Sequence, residues 1–277
     1  MKHYINITVF VIAILAIACN EPKETKEPKL PVSNTAINTP ANMTYEIVKT
    51  YPHATTSYTE GLEWSNDTLI ESTGNYKESK LIFMDSNMKI IQNPIKLDDA
   101  YFGEGTTLFK DKIYQLTYKE HKVFVYDATS LKKIQEFYWP YEGWGMTHND
   151  TAIIINTGGS SLYYVDPSTF NKIKTVDVYD NNGYVANVNE LEYVNGKLFA
   201  NVYMTDNILQ IDPATGEVKA VANLTNILAA VGIKEDPKLK DSGNVLNGIA
   251  YHKQRGTFFI TGKYWPVIIE LKFNYVK

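Results

Sequence analysis

The chain has 277 residues, of which 44% are hydrophobic and 21% are charged, and its formal net charge is −4. This length is sufficient for a domain with a sizeable core, and the slightly acidic balance offers no basic footprint for nucleic acid. The single cysteine excludes an intrachain disulfide.

The first 18 residues predict a secretory signal peptide. Residues 1–3 make a short basic start, and residues 4–18 form a largely apolar run that is too short to span a bilayer comfortably as a helix of about 20 residues. Cys19 follows this run and resembles the lipobox cysteine of bacterial lipoproteins, which is acylated after cleavage, although Ala16 is a less usual residue than leucine at its position. An uncleaved anchor would give nearly the same topology. We therefore expect a lipid-anchored protein in the cell envelope, facing the periplasm or the outer surface.

Residues 19–42 have a different composition from the rest of the chain. Lysine and glutamate alternate here with prolines, and no aromatic residue is present. Such a segment buries too little apolar surface to become ordered. We expect a disordered tether that carries the lipidated cysteine, followed by one domain over residues 43–277.

A short pattern then returns five times, each time with a polar or aromatic residue close to a glycine or another turn. The copies open at residues 60, 104, 144, 189 and 247, so the steps between them are 44, 40, 45 and 58 residues. A period of 20 to 50 residues is typical of solenoids, propellers and other repeat arrays.

Each copy continues with further runs of β-branched and aromatic residues, which favour strands. The third run ends in aspartate in four copies, and aspartate commonly opens a turn. The fifth copy is too short for a fourth strand, which residues 44–51 can supply. The sequence thus predicts an all-β, five-bladed propeller with four antiparallel strands per blade, closed by this N-terminal strand. A β-sandwich with coincidental spacing is the alternative.

The repeat alignment also predicts where a site lies, because the first strand of each propeller blade lines the central channel. The openings bring together Glu60, Glu104, Trp144, Asn189 and Asn247. The ends of the second strands add Gly74, Tyr118, Thr157, Tyr203 and Lys263 near the same mouth. Two carboxylates, two amides, a lysine and aromatic rings suit a small polar ligand that carries a cationic or amide group.

Eight strings of residues resemble, in order, the plant-type glutaminyl-peptide cyclotransferase family. They are Tyr58-Thr59-Glu60-Gly61-Leu62, Glu71-Ser72-Thr73-Gly74, Phe102-Gly103-Glu104-Gly105, Gly143-Trp144-Gly145-Met146-Thr147, Asn189-Glu190-Leu191-Glu192, Ala200-Asn201-Val202-Tyr203-Met204-Thr205-Asp206, Leu246-Asn247-Gly248-Ile249-Ala250-Tyr251 and Thr261-Gly262-Lys263-Tyr264-Trp265-Pro266. Each string is weak alone, but eight in register are specific. That family is a five-bladed propeller, which agrees with the repeat count.

The resemblance implies that N-terminal glutamine of a peptide or protein is converted to pyroglutamate with loss of ammonia, without a cofactor. Glu104 matches the essential carboxylate, which would move a proton from the attacking amine to the departing ammonia. Lys263 and Asn189 match substrate-binding positions, and Trp144 matches an aromatic wall. The expected substrate-binding set is Tyr58, Glu60, Tyr118, Trp144, Asn189, Tyr203, Asn247 and Lys263.

Each of these residues also has a purely structural interpretation. Glu104 could accept backbone amides at a strand start, Lys263 could merely neutralise Glu104, and Asn189 could shape a turn. Trp144 could belong to the core.

The chain departs from the family pattern at three positions. Glu60 stands where the family usually has glutamine, and Tyr118 and Tyr203 stand where it has tryptophan. These changes bear on rate and on substrate preference. They would also suit a member that binds without turnover.

Two other functions remain open from the sequence. The first is a non-catalytic envelope propeller that binds peptides or protein partners, since the fold alone does not decide function. The second is a metal-assisted lyase or lactonase, for which His148 and His252 lie near equivalent blade positions, although no metal-ligand spacing is present. We expect a monomer.

The longest step contains an insertion, residues 226–244. Residues 227–231 predict a short apolar helix, and a charged run follows. The insertion could overhang the channel mouth and select substrates, or it could be inert surface.

Overall fold

The computed structural model of the protein describes residues 38–234 and 236–274. The predicted signal peptide, Cys19 and all of the predicted tether up to residue 37 lie outside the described residues.

Five small, mainly antiparallel sheets confirm the predicted propeller, and each of these sheets is one blade. The described chain starts with β1 (Ala41–Asn42) and β2 (Thr44–Pro52). Blade I contains β3 (Thr59–Ser65), β4 (Thr68–Thr73), β5 (Lys80–Met84) and β6 (Ile95–Lys96). Blade II contains β7 (Gly103–Phe109), β8 (Lys112–Thr117), β9 (Lys122–Asp127) and β10 (Lys133–Tyr138). Blade III contains β11 (Met146–His148), β12 (Ile153–Asn156), β13 (Ser161–Val165) and β14 (Lys172–Asp177).

A small hairpin of β15 (Tyr179–Asp180) and β16 (Gly183–Tyr184) leads to the last two blades. Blade IV contains β17 (Val188–Val194), β18 (Lys197–Val202), β19 (Asn207–Ile211) and β20 (Val218–Asn223). The insertion follows with α1 (Ile227–Ala230) and α2 (Pro237–Asp241). Blade V contains β21 (Leu246–His252), β22 (Thr257–Gly262) and β23 (Val267–Asn274).

The N-terminal strands complete the outer edges of two blades. β2 pairs antiparallel with β23, with Thr44 opposite Asn274 and Pro52 opposite Val267. β1 pairs in parallel with β20. Ala41 and Asn42, which the sequence analysis assigns to the tether, therefore belong to blade IV.

The aspartates at the ends of the third strands act as predicted. Asp85, Asp166 and Asp212 each accept a hydrogen bond from the backbone N–H two residues on, at 2.8 Å. Asp127 accepts one from the N–H of Ser130 at 2.7 Å. These side chains satisfy backbone donors that the turn would otherwise leave unpaired.

The hydrophobic core lies between the blades. Five clusters of buried side chains occur among the described residues, and each joins two neighbouring blades. Leu116 of blade II, for example, belongs to the same cluster as Ile155 of blade III. No blade buries its apolar side chains alone, so the blades stabilise one another around the ring.

Backbones of the inner strands approach one another closely along the channel. A side chain at Gly145 would overlap the carbonyl group of Asn189, and one at Gly105 would come within 2.5 Å of the backbone nitrogen of Met146. Glu190 stands at the position in blade IV that is equivalent to Gly105 and Gly145. Its buried carboxylate accepts hydrogen bonds from the N–H groups of Leu62 at 3.1 Å and Ile249 at 2.8 Å, so it reaches across the channel to blades I and V.

The insertion contains two short helices. The predicted helix is observed as α1, and α2 lies in the charged run that the sequence analysis did not assign to a helix. Within residues 38–234 and 236–274, no helix has both the length and the apolar character needed to cross a membrane.

Candidate active site

Four of the five inner strands are interrupted by a bulge at the same end of the channel. The pairing of each inner strand with its neighbour skips residues between Thr59 and Gly61, between Gly103 and Thr106, between Val188 and Leu191, and between Leu246 and Ile249. The skipped residues include four predicted site residues, Glu60, Glu104, Asn189 and Asn247. A bulge re-aims a side chain away from regular alternation. Trp144 lies just before β11, where regular pairing has not yet begun.

These side chains surround a pocket of about 240 Å³. Its lining consists of Tyr58, Glu60, Phe102, Glu104, Tyr118, Trp144, Asn189, Tyr203 and Lys263. Every one of these except Phe102 was predicted from the sequence. Phe102 stands in one of the strings that resemble the family, and this resemblance could have indicated it. Thr157 does not line the pocket.

Two predicted residues lie behind the lining. Asn247 is fully buried, and its amide donates to the carbonyl oxygen of Thr59 at 2.9 Å and to Glu60 Oε2 at 3.2 Å. Gly74 leaves room for the ring of Phe102 and for the Glu60 side chain, both of which a Cβ would crowd. Asn247 therefore positions Glu60, and Gly74 makes space for two lining residues.

Lys263 and Glu60 form a buried ion pair. Lys263 Nζ lies 2.7 Å from Glu60 Oε1, and both side chains are almost completely buried. Burial alone would lower the pKa of Lys263, but the Glu60 carboxylate more than compensates and the pKa is raised. Burial raises the pKa of Glu60, and Lys263 opposes that shift. Lys263 thus stays protonated and pairs with Glu60 rather than with Glu104.

Glu104 differs from the other buried acids of the channel. It is 5% exposed, and none of the residues described here forms a hydrogen bond to its side-chain oxygens. Burial raises its pKa well above the usual glutamate range, and the charge of Glu60 raises it further. Within residues 38–234 and 236–274, Glu104 is thus a carboxyl group without a hydrogen-bond partner, and it lies close to an ion pair and lines a pocket.

The alternative role for Glu104, accepting backbone amides, is carried out by other glutamates. Glu63 accepts the N–H of Leu108 at 3.0 Å, and Glu192 accepts the N–H of Tyr251 at 2.7 Å. Both belong to the opposite end of the channel, where a separate cavity of about 690 Å³ opens.

Asn189 lies on β17 and not in a turn. Its side-chain oxygen is buried and has no hydrogen-bond partner in the described part of the chain. A buried amide oxygen without a partner is costly, and a ligand in the pocket is one way to satisfy it.

Aromatic rings form the walls around these polar groups. The ammonium of Lys263 lies 4.3 Å from the ring centroid of Tyr58 and 5.1 Å from that of Tyr203. Trp144 meets Tyr203 edge to face with centroids 5.6 Å apart, and it belongs to none of the core clusters. Flat faces of this kind enclose methylene groups and attract cations.

The two histidines considered for a metal lie away from this pocket. His148 Nδ1 is 3.7 Å from Glu63 Oε1, and His252 packs against the ring of Trp64. Across the part of the chain that the structure describes, no group of three or more histidine, cysteine, aspartate or glutamate side chains is arranged to hold a metal ion.

Fold and site together define a five-bladed propeller with an acidic, lysine-containing and aromatic pocket at one mouth of its channel. Residues 11–273 match the family model of glutamine cyclotransferase. The chain is 34% identical over 229 residues to the glutaminyl-peptide cyclotransferase of Arabidopsis thaliana, covering 82% of this chain and 70% of that protein. It superposes on the crystal structure of Myxococcus xanthus glutaminyl cyclase with a TM-score of 0.76 and 30% identity, covering 86% of this chain and all of that one. The chain belongs to the glutamine cyclotransferase family.

Proposed function

We propose that this protein is a glutaminyl-peptide cyclotransferase that acts on peptides or proteins with N-terminal glutamine. The observation that carries the proposal is the Glu104 carboxyl group, which is buried, lines the pocket and accepts no hydrogen bond from any residue that the structure describes. Membership of the family and the likeness to two named glutaminyl cyclases support the same reaction.

The reaction joins the α-amine of the substrate to the carbon of its own side-chain amide. A bond forms between that nitrogen and the carbon, the bond to the amide nitrogen breaks, and ammonia leaves. The pocket of about 240 Å³ has room for one glutamine end and holds the two groups close together. Such positioning lowers the entropic part of the activation barrier.

Glu104 moves the proton that this exchange requires. In its ionised form it accepts a proton from the attacking amine, and it then donates this proton to the departing nitrogen. The raised pKa of Glu104 brings it closer to that of an α-amine, about 7.7 to 8.0 in the free peptide. Both transfers are efficient when the pKa of the catalyst lies near the working pH.

Lys263 stabilises the charge that develops on the amide oxygen. It is protonated, almost fully buried and held by Glu60, so its position is fixed before the substrate arrives. A fixed donor in a dry pocket stabilises developing charge more strongly than water does. The rings of Trp144 and Tyr203 enclose the glutamine methylenes.

Replacing Glu104 by glutamine tests the assignment. We expect Glu104→Gln to fold like the parent and to lose turnover by about 10² to 10⁴, the usual contribution of general acid–base catalysis. Ammonia release from a short peptide with N-terminal glutamine, checked by the mass loss of one ammonia, measures this. Glu46→Gln, an exposed change on the outer strand β2, is the control. Unchanged turnover in a folded Glu104→Gln protein would contradict the role of Glu104, and no turnover by the parent on any such peptide would contradict the function.

The cellular location of the protein is a separate part of the proposal. Residues 1–18 act as a signal peptide, Cys19 carries the lipid, and residues up to about 40 tether a monomeric propeller to the cell envelope. The apolar run that ends at the only cysteine supports this. Mass spectrometry of the N-terminal peptide from the membrane fraction tests it, and an unmodified Cys19 would contradict it.

A further inference from the structure

A second buried ion pair, between His53 and Glu71, stands outside the pocket lining. His53 belongs to the connection between β2 and β3, and its Nε2 lies 3.0 Å from Oε1 of Glu71 on β4. The two side chains are 2% and 1% exposed, and neither is among those that line the pocket. Removing two charges from water is costly, so an ion pair this deep is weak evidence for stability by itself. Its other contacts indicate what it does.

The contacts of His53 make it a donor at both ring nitrogens. Nδ1 lies 2.8 Å from the carbonyl oxygen of Trp265, which can only accept a hydrogen bond. Nδ1 also lies 3.3 Å from Thr261 Oγ1, whose own proton is donated to the carbonyl oxygen of Val267 at 2.8 Å. Because Nε2 faces the Glu71 carboxylate, this geometry favours the imidazolium form of the ring. Burial alone would lower the pKa of His53, but Glu71, the charged side chain that faces the ring, more than compensates and the pKa is raised.

The Glu71 end of this pair holds the strand that carries Glu60. The hydroxyl of Thr59 donates to Glu71 Oε1 at 2.7 Å. The carbonyl oxygen of the same threonine accepts the amide of Asn247, which also donates to Glu60 Oε2. Burial alone would raise the pKa of Glu71, but His53 and the hydroxyl donors outweigh burial and the pKa is lowered, so the carboxylate is ionised. Glu71 thus fixes the residue next to Glu60.

The His53 end holds the turn that follows Lys263. Trp265, whose carbonyl oxygen accepts a hydrogen bond from the ring, stands two residues after Lys263. The backbone N–H of His53 donates to the carbonyl oxygen of Pro266 at 3.0 Å. The two ends of the pair therefore contact blade I and blade V, at the junction that closes the ring.

We propose that His53 and Glu71 are positioning residues of the active site, and that their ion pair sets the distance between the two segments whose side chains form the Lys263–Glu60 pair. The inference rests on the proposed function, in which Lys263 stabilises the charge on the amide oxygen. Lys263 and Glu60 are 203 residues apart in the chain, so local structure alone does not place one beside the other. A displacement of about 1 Å in an active site can cost about 10²-fold in rate.

Turnover of a glutamine peptide by Glu71→Gln tests the proposal, because this change keeps the shape of the side chain and removes its charge. Lys263 acts on a charge that develops only in the transition state, so we expect kcat to fall by about 10 to 10² while KM changes less than about twofold. Glu63→Gln is the matched control, since Glu63 is also buried and faces a histidine, His148, but at the opposite end of the channel. It should keep the parent kcat. A parent-like kcat in folded Glu71→Gln, or an equal loss in the control, would overturn the proposal.

A double variant separates positioning from a general loss of structure. In a Lys263→Met background, adding Glu71→Gln should lower the residual kcat less than about twofold, because the group that Glu71 positions is already absent. A loss as large as the one in the parent background would show that Glu71 does not act through Lys263.

Two NMR signals of side-chain nitrogens test the proposal without turnover. The ring nitrogens of His53, assigned by their loss in His53→Gln, should both carry protons at about pH 8, well above the usual histidine pKa of about 6.5. The ammonium signal of Lys263, assigned with Lys263→Met, should shift in Glu71→Gln and stay in place in Glu63→Gln. A neutral His53 ring in the parent, or an unmoved Lys263 signal in folded Glu71→Gln, would overturn the proposal. If the parent releases no ammonia, the proposed function fails, and these two signals still decide the positioning.

Discussion

At the scale of single residues, the described part of the channel contains several glutamates that accept backbone N–H groups and one, Glu104, that does not. Glu63, Glu190 and Glu192 all accept backbone amides, whereas Glu104 has no such partner among the described residues. The sequence places all four at blade openings. Only the family resemblance singled out Glu104, because spacing does not reveal which carboxylate meets a backbone donor.

The ion-pair partner of Lys263 could not be predicted from the sequence either. Glu60 and Glu104 both stand at the mouth, and the structure shows that Lys263 pairs with Glu60. Glu60 is the position at which the chain departs from the usual glutamine of its family. This departure adds a negative charge beside Glu104.

Removing that charge should change the pH dependence of catalysis. In Glu60→Gln, Glu104 loses a neighbouring negative charge and Lys263 loses its partner, and both effects favour ionised Glu104. Its pKa therefore falls, and the acidic limb of the kcat/KM profile moves to lower pH. Peptide turnover measured across pH checks this, with Glu46→Gln as the control. A limb that stays in place or moves to higher pH would show that Glu60 does not set the pKa of Glu104.

At the scale of elements, the sequence predicted the strands well and the bulges not at all. The runs that favoured strands are observed in all five blades, since β-branched residues and turn residues report local backbone preference. A bulge depends on the pairing of two strands, which no single run encodes. The bulges nevertheless place Glu60, Glu104 and Asn189 at the pocket.

A glycine at the end of a blade element supports the aromatic wall. Gly158 has φ +76°, and a Cβ there would lie 2.6 Å from atoms of the Trp144 ring. We expect Gly158→Ala to cost about 1 to 2 kcal/mol in unfolding free energy from the left-handed backbone alone. It should also displace the ring and lower kcat/KM about tenfold, a size of loss that misplacement of a substrate can cause.

The adjacent glycine supplies a matched control for that prediction. A Cβ on Gly159 meets no atom within 4 Å, so Gly159→Ala should change neither stability nor turnover. Chemical denaturation and peptide turnover measure both properties. If the two alanine variants behave alike, Gly158 does not support the wall.

At the scale of the whole molecule, the ring depends on a strand from the start of the described chain. Tyr51 of β2 is buried, and its hydroxyl donates to Glu270 of β23 at 2.7 Å. Arg255 donates to the Tyr51 hydroxyl at 2.9 Å. The missing fourth strand of the last copy was visible in the sequence, but this three-residue contact was not, because its members are distant in the chain.

Loss of this contact should weaken the entire ring. Tyr51→Ala leaves a cavity and unpaired polar groups, and we expect a loss of about 3 to 5 kcal/mol in unfolding free energy. Tyr51→Phe, which removes only the hydroxyl, should lose about 1 kcal/mol. Because the blades share their cores, tryptophan fluorescence and circular dichroism should shift together. Tyr138→Ala, at a side chain 69% exposed, is the control. Separate transitions detected by the two probes would show that the ring does not unfold as one cooperative unit.

The buried carboxylate of Glu190 joins three blades, because it accepts N–H groups of blades I and V from its place in blade IV. The pocket and the cavity at the opposite end of the channel share no lining residue, so the pocket is a separate cavity that ends inside the channel. A polypeptide that continues on both sides of a glutamine cannot be threaded into a closed end, whereas a free chain terminus can. We therefore expect the pocket to accept only the end of a chain, and we expect the ammonia to leave by the same mouth through which the peptide enters.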